Sequence, residues 1–364
     1  MNKETRCRAR ALGINHWQLK SGTLNAITDV AGVKVGQVTL NEGEGALQPG
    51  QGPVRTGVTV ILPHAGNLFE EKVVASVHTI NGFGKACGFE QVRELGMLET
   101  PIALTNTLNT WLVADALAQH AIHHNPTIGI RTSTVNPLVG ETNDGYLNDI
   151  QGRHVKAEHV WQAIESASDG VVAEGCVGAG TGTTCFGWKG GIGTASRQWH
   201  SDSGTFTIGA LLQSNFGSPE ELLIGGKAVG RFLHPAQMPP FAPPTPGSVM
   251  IVLATDAPLD ARQLQRLCVR AGAGLARTGS SFHHGSGDFV IAFSTARRIA
   301  HRPASLIRQI PVLDDESRFM EWAFPAVVEC VEEAVLNSLC VATTTVGRDG
   351  NVRHALPLAQ LGAF

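Results

Sequence analysis

The sequence predicts a layered fold that mixes strands and helices, α/β or α+β in class, and three observations lead to it. Apolar runs of strand length alternate with helix-period segments through both halves of the chain. Charged residues are only 16% of the 364 and hydrophobic ones 43%, against a usual charged share of about 25%, so much of the chain has to be buried, some of it between subunits. Glycine is 42 of 364, which calls for tight turns and close backbone approaches. No internal repeat accompanies these features, and the length suits one large domain or two ordinary ones.

In chain order, residues 54–62 (VRTGVTVIL) alternate and are rich in β-branched side chains, as are 125–135 and 205–213, and all three read as strands. Between Thr107 and Ile122, the residues Leu108, Trp111, Leu112 and Leu117 follow helical spacing, and Val160, Ile164 and Ala167 do so again. Both segments are expected to be core-facing helices. Asp256 and Pro258, ahead of the run Leu264, Leu267, Cys268, Ala271 and Leu275, predict a capped amphipathic helix. Another helix is expected from Asp315 to Ser338, and a strand over 289–294.

Several function classes are disfavoured early. The formal net charge is −3, with no long basic run, which argues against nucleic acid or an anionic membrane as partner. A basic N-terminus without an apolar stretch, and no window of about 18 apolar residues, read as a cytoplasmic protein with no membrane association. Seven scattered cysteines without C-x-x-C spacing suggest neither a disulfide framework nor a zinc cage. The adjacent pairs His123-His124 and His283-His284 do not easily share one metal, and H-E-x-x-H is absent. Glycines 178, 180 and 182 fit neither G-x-x-x-x-G-K-[ST] nor G-x-G-x-x-G. No metal or cofactor is expected, and 175–193 reads as close backbone packing beside an active site.

The pattern breaks over 235–246, where Pro235, Pro239, Pro240, Pro243, Pro244 and Pro246 exclude strand and helix. Gly247-Ser248 follows, and then the buried-strand run Val249, Met250, Ile251, Val252, Leu253, Ala254. Composition alone reads this as an interdomain linker feeding an ordinary strand. The sharper alternative is a processing site, since glycine lets the peptide adopt geometry open to attack by the neighbouring hydroxyl. A serine unmasked in this way carries its own base, because an α-amine has a reference pKa of about 7.7–8.0. No catalytic histidine is then required, and the elbow G-x-S-x-G is absent.

At PGSVMIVLATDAPL (246–259) and HGSGDFVIAFSTA (284–296), the chain resembles the DmpA family of L-aminopeptidase/D-amidase/D-esterase and β-aminopeptidase enzymes. The likeness continues in order through 25–40, 54–63, 139–149 (VGETNDGYLND), 175–197 and 210–217. The resemblance implies an α+β fold, a four-layer αββα sandwich like that of the N-terminal-nucleophile hydrolases. One domain, 1–364, is expected to cleave itself into a large piece 1–247 and a small piece 248–364, with 235–247 as the processing linker. Tetramers of such pairs are implied, acting on short peptides, amides or esters.

By matching motif, the resemblance makes Ser248 the nucleophile after the Gly247–Ser248 cut and places Ser286 and Asp288 in support. A carboxylate at Asp288, where some family members carry Glu, can orient Ser286 or the α-ammonium, and Ser286 can relay a proton. Asn215, in QSNFG, takes the position of the oxyanion donor. Tyr146, the chain's single tyrosine, follows the turn-like Asn143-Asp144-Gly145 and is a second candidate donor, against ordinary packing. Glu141 is either an anchor for a substrate's amino group or a solvated surface acid. The function implied is a self-processing serine aminopeptidase or amidase. Two alternatives stand beside it: an acyltransferase of the same architecture, where ornithine acetyltransferases use threonine, and an uncleaved protein that binds small molecules without catalysis.

Overall fold

The structure, a computed structural model, describes residues 5–243 and 247–361. Two sheets form the middle. One orders its strands β1 (Lys34–Glu42), β2 (Val54–Leu62), β5 (Ile102–Asn106) and β6 (Leu138–Thr142). The other runs β4 (Met97–Leu98), β3 (Glu71–Gly82), β12 (Gly287–Ala300), β11 (Ser248–Thr255), β10 (Gly204–Asn215), β9 (Ile192–Ser201). Helices α2 (Thr110–His124) and α3 (Ala157–Glu165) cover the four-stranded sheet, and α4 (Ala261–Arg277) and α5 (Glu316–Val341) cover the six-stranded one. A short α1 (Phe89–Leu95) packs beside β3. The layer order is αββα, and the strand run expected after Ser248 lies at the centre of the larger sheet.

Three apolar layers account for this order. Ile61, Leu104 and Leu138 meet Val77, Leu211, Met250, Val252 and Ile291 between the sheets. Val58, Val60, Ala103 and Val139 face Val113, Leu117 and Val160 on one outside. Val249, Ile251, Leu253 and Val290 face Leu264, Leu267, Leu275, Val331 and Leu339 on the other. Strand β11 is apolar at every position from 249 to 254 because alternate side chains point into two different cores.

Three sequence expectations are corrected. Residues 125–135 form no strand: the carbonyl of Thr127 accepts from the N–H groups of Ile130, Arg131 and Thr132, and Gly129 takes φ +72°, so the β-branched residues close a turn with no ladder to join. Helix α2 buries Leu117 as expected, but Val113 and Ala116 share its inner face in place of Trp111, which is 55% exposed. The side chain of Asn106 accepts from the N–H of Asn109, and the 3-10 turn Thr107–Asn109 that this closes breaks the helical phase before α2 begins. Asp256 does not cap α4. Its carboxylate instead accepts from the N–H of Thr207 at 2.7 Å, and Asp260 supplies the cap in a reciprocal box with Gln263.

All seven cysteines are free, and no helix among the described residues is long and apolar enough to cross a membrane. Helix α5 lies directly on β9, where a Cβ on Gly193 would come within 1.9 Å of the carbonyl oxygen of Ala334. Backbone on backbone leaves little room to relax, so Gly193→Ala is expected to lower unfolding stability by about 1–3 kcal/mol in denaturant titration. An unchanged midpoint would contradict this account of the helix–sheet contact.

Candidate active site

Ser248 is the first residue of β11 and is buried. Its register partners are Asn215 at the end of antiparallel β10 and Gly287 at the start of parallel β12. Met250 and Val252 point between the sheets, and the two-residue period puts the Ser248 side chain on that same face, towards β6. There the N–H of Asn143, just beyond the end of β6, donates to Ser248 Oγ at 3.3 Å. Asn215 Nδ2 donates to the same oxygen at 3.4 Å. Both contacts are long for N–H···O bonds, as is common before a substrate tightens a site.

Gly247 lies against the other side of this strand end. Its carbonyl oxygen accepts from the N–H of Gly287 at 3.2 Å, and a Cβ at 247 would stand 2.2 Å from the carbonyl oxygen of Asn215. Glycine is therefore required by space. Asn215 is itself held: its Oδ1 accepts from the N–H of Thr184 at 2.9 Å, which leaves Nδ2 aimed at Ser248. Thr184 belongs to a two-strand ribbon, β7 (Thr184–Cys185) on β8 (Trp188–Lys189). This ribbon lies inside the glycine-rich stretch, where Lys189 Nζ donates to the carbonyls of Gly180 at 2.9 Å and Gly190 at 2.8 Å. A Cβ at Gly191 would meet the Gly175 carbonyl at 2.1 Å, so the glycines here serve close packing of backbone on backbone.

Ser286 and Asp288 flank Gly287. Ser286 Oγ donates to Asp288 Oδ1 at 2.6 Å, and Asn81 Nδ2 binds the carbonyls of His283, His284 and Ser286 and fixes their turn. Asp288 Oδ2 is buried and has no hydrogen-bond partner among the described residues. Burial pushes the Asp288 carboxyl up to about 6, against the opposing pull of the Ser286 hydroxyl and of His283.

Glu141 on β6 is buried, which removes the surface-acid reading. Its Oε1 accepts from the N–H of Lys85 at 2.8 Å, and its Oε2 accepts from the Thr107 hydroxyl. Burial raises its pKa, with both hydrogen bonds acting in the opposite direction. Tyr146 is half-buried in a turn whose Asn143 Oδ1 accepts from the N–H of Gly145, and its ring lies under the guanidinium of Arg353, 3.6 Å from centroid to Cζ. Its main contact is this cation rather than Ser248.

Sequence reasoning did not find the N–H of Asn143, Thr184, Asn81, Thr107 or Arg353. Only the Asn-Asp-Gly turn carried a local signal; the others act across long sequence separations. The histidine rings hold other partners, His124 Nδ1 on the carbonyl of His120 and His283 Nε2 on the Glu221 carboxylate. Among the described residues, no group of three or more His, Cys, Asp or Glu side chains is placed to hold a metal ion.

Comparison with known proteins adds to this geometry. Residues 25–353 match the family model of Peptidase family S58. The chain is 40% identical over 369 residues to the β-peptidyl aminopeptidase BapA of Sphingosinicella microcystinivorans, covering 98% of this chain and 91% of that protein. A crystal structure from Pyrococcus horikoshii OT3 superposes with a TM-score of 0.92 at 49% identity, covering 98% of both chains. The L-aminopeptidase D-Ala-esterase/amidase of Ochrobactrum anthropi, described as a variant of the Ntn-hydrolase fold, superposes with a TM-score of 0.87 at 36% identity, covering 97% of this chain and 96% of that one. The αββα expectation therefore holds.

Because burial keeps Asp288 protonated until about pH 6, any step that needs its carboxylate gains as pH rises through that value and is lost below it. The rate of amide hydrolysis is expected to show an acid limb centred near 6, separate from any limb at higher pH, and Asp288→Asn is expected to remove it. An identical acid limb in the variant would rule the carboxylate out.

Proposed function

The chain belongs to peptidase family S58 and is an aminopeptidase of that family, and we propose that it cuts itself between Gly247 and Ser248 and then uses Ser248 as an N-terminal nucleophile. The observation that carries this reading is the placement of Ser248: first residue of a buried central strand, its hydroxyl between two N–H donors and a space-restricted glycine ahead of it. In self-cleavage, Ser248 Oγ attacks the Gly247 carbonyl carbon, the C–N bond breaks as the nitrogen takes a proton, and the resulting ester is hydrolysed by water. The pieces 1–247 and 248–364 remain joined through the pairing of β10 and β3 with β11 and β12.

In turnover, the new α-amine, with a reference pKa of about 7.7–8.0, accepts the Ser248 Oγ proton as that oxygen attacks the carbonyl following the substrate's first residue. Asn215 Nδ2 receives the developing negative charge, with Tyr146 as a second donor. The amine returns its proton to the leaving group, and water releases the acyl group from Ser248. Asp288, with one buried oxygen that has no partner among the described residues, holds the ammonium form, and Ser286 relays protons along the same line. Glu141 receives the substrate's amino group. Short peptides, amides and esters with a free amino end fit this site, and likeness to a β-peptidyl aminopeptidase supports β-amino acids at that end. Exposed Leu306, Ile307 and Val312, on the connection from β12 to α5, support homo-oligomers of the cleaved pair.

Purified protein is expected to run on a denaturing gel as two bands of about two-thirds and one-third of 38.5 kDa, while Ser248→Ala stays at full length and turns over nothing, since one oxygen serves both reactions. Peptidase activity in that variant would reject the assignment. Asn215→Ala is expected to lower kcat by about 10²–10³. On a panel of p-nitroanilides, β-amino acyl groups are expected to react faster than L-α or D-α ones, and a strict L-α preference would overturn the substrate reading.

A further inference from the structure

Arg353 ends β14 (Val352–Arg353), which pairs with β13 (Thr345–Val346). It is 2% exposed, and no carboxylate among the described residues pairs with it. Burial lowers its pKa. An arginine buried without a counter-ion is costly, so its remaining contacts carry the explanation, and each of the three ends on a part of the proposed machinery.

Nε donates to Thr184 Oγ1 at 3.1 Å, and Thr184 is the residue whose own N–H holds Asn215 Oδ1. The face of the guanidinium covers the Tyr146 ring at 3.6 Å. One terminal nitrogen donates to the carbonyl of Ala242 at 2.8 Å, on the segment that leads to Gly247. One planar fork thus touches the support of one oxyanion donor, the ring of the other and the segment ahead of the scissile bond. A lysine has a single point of charge and cannot satisfy those directions together.

We propose that Arg353 is a positioning residue for the reaction, setting Asn215 through Thr184 and Tyr146 through its ring. This rests on the reading of those two side chains as oxyanion donors. Its contribution belongs to the transition state, where charge develops, and leaves binding of the ground state largely untouched.

The test is steady-state kinetics per mole of cleaved chain on an amino-acyl p-nitroanilide, with Arg353→Lys, Tyr146→Phe, their combination, Thr184→Val and Asn215→Ala. Arg353→Lys is expected to lower kcat about 10- to 100-fold, below or up to the loss of a whole donor, with KM within about twofold. In the Tyr146→Phe background the same change is expected to cost much less, because coupled groups are not additive. Thr184→Val removes the acceptor for Arg353 Nε while keeping the N–H on Asn215, and is expected to lower kcat in the same sense even where Arg353→Lys yields no folded protein. Wild-type kcat in Arg353→Lys or Thr184→Val, or equal losses in both backgrounds, would overturn the proposal while the oxyanion reading stands. Wild-type kcat in Asn215→Ala would instead remove that reading, and the proposal with it.

Discussion

The pairing of β11 between β10 and β12 is the constraint from which the rest follows. It brings Asn215 and Gly287 alongside Ser248 in register, puts the serine hydroxyl on the face between the sheets, and leaves no room for a Cβ at Gly247. A register slip of one residue would turn the hydroxyl towards α4 and α5 and bury Met250 in the wrong core. Two apolar layers fix β11 on both faces. Reacting groups placed there keep their geometry without help from a mobile loop.

Around this strand end the protein keeps charge inside. Asp288 has one oxygen hydrogen-bonded and the other without a partner among the described residues, and its carboxyl is held up to about 6 by burial. Glu141 is raised in the same direction, Asp144 is pushed up to about 7, and Lys189 is lowered. Stability alone would be served by apolar replacements at such places. A set of buried groups with displaced pKa values beside one strand end is instead the arrangement expected of a reactive site.

Much of this was legible in the sequence, for local reasons. Six prolines within 235–246, then Gly247-Ser248 and an unbroken apolar run, mark the start of a central strand by composition alone, although residues 244–246 lie outside the described part of the chain. The spacing of Ser286 and Asp288 likewise translates into a direct hydrogen bond. What the sequence hid is non-local. Residues 125–135 have strand composition but no neighbouring strand to pair with, and a β-branched run without a ladder folds into turns. Thr184 lies unmarked within the glycine-rich block and Arg353 lies outside every block of likeness, and their importance comes from meeting across 169 positions. Asp256 resembles a cap but serves the neighbouring strand instead.

Edman sequencing of fully active enzyme addresses the central claim most directly, because α-amine catalysis requires a free amino terminus on the nucleophile itself. A second terminus reading Ser-Val-Met-Ile, in amount equal to the active sites, is the result the account predicts. Full activity in protein whose only amino terminus is that of the whole chain would contradict it.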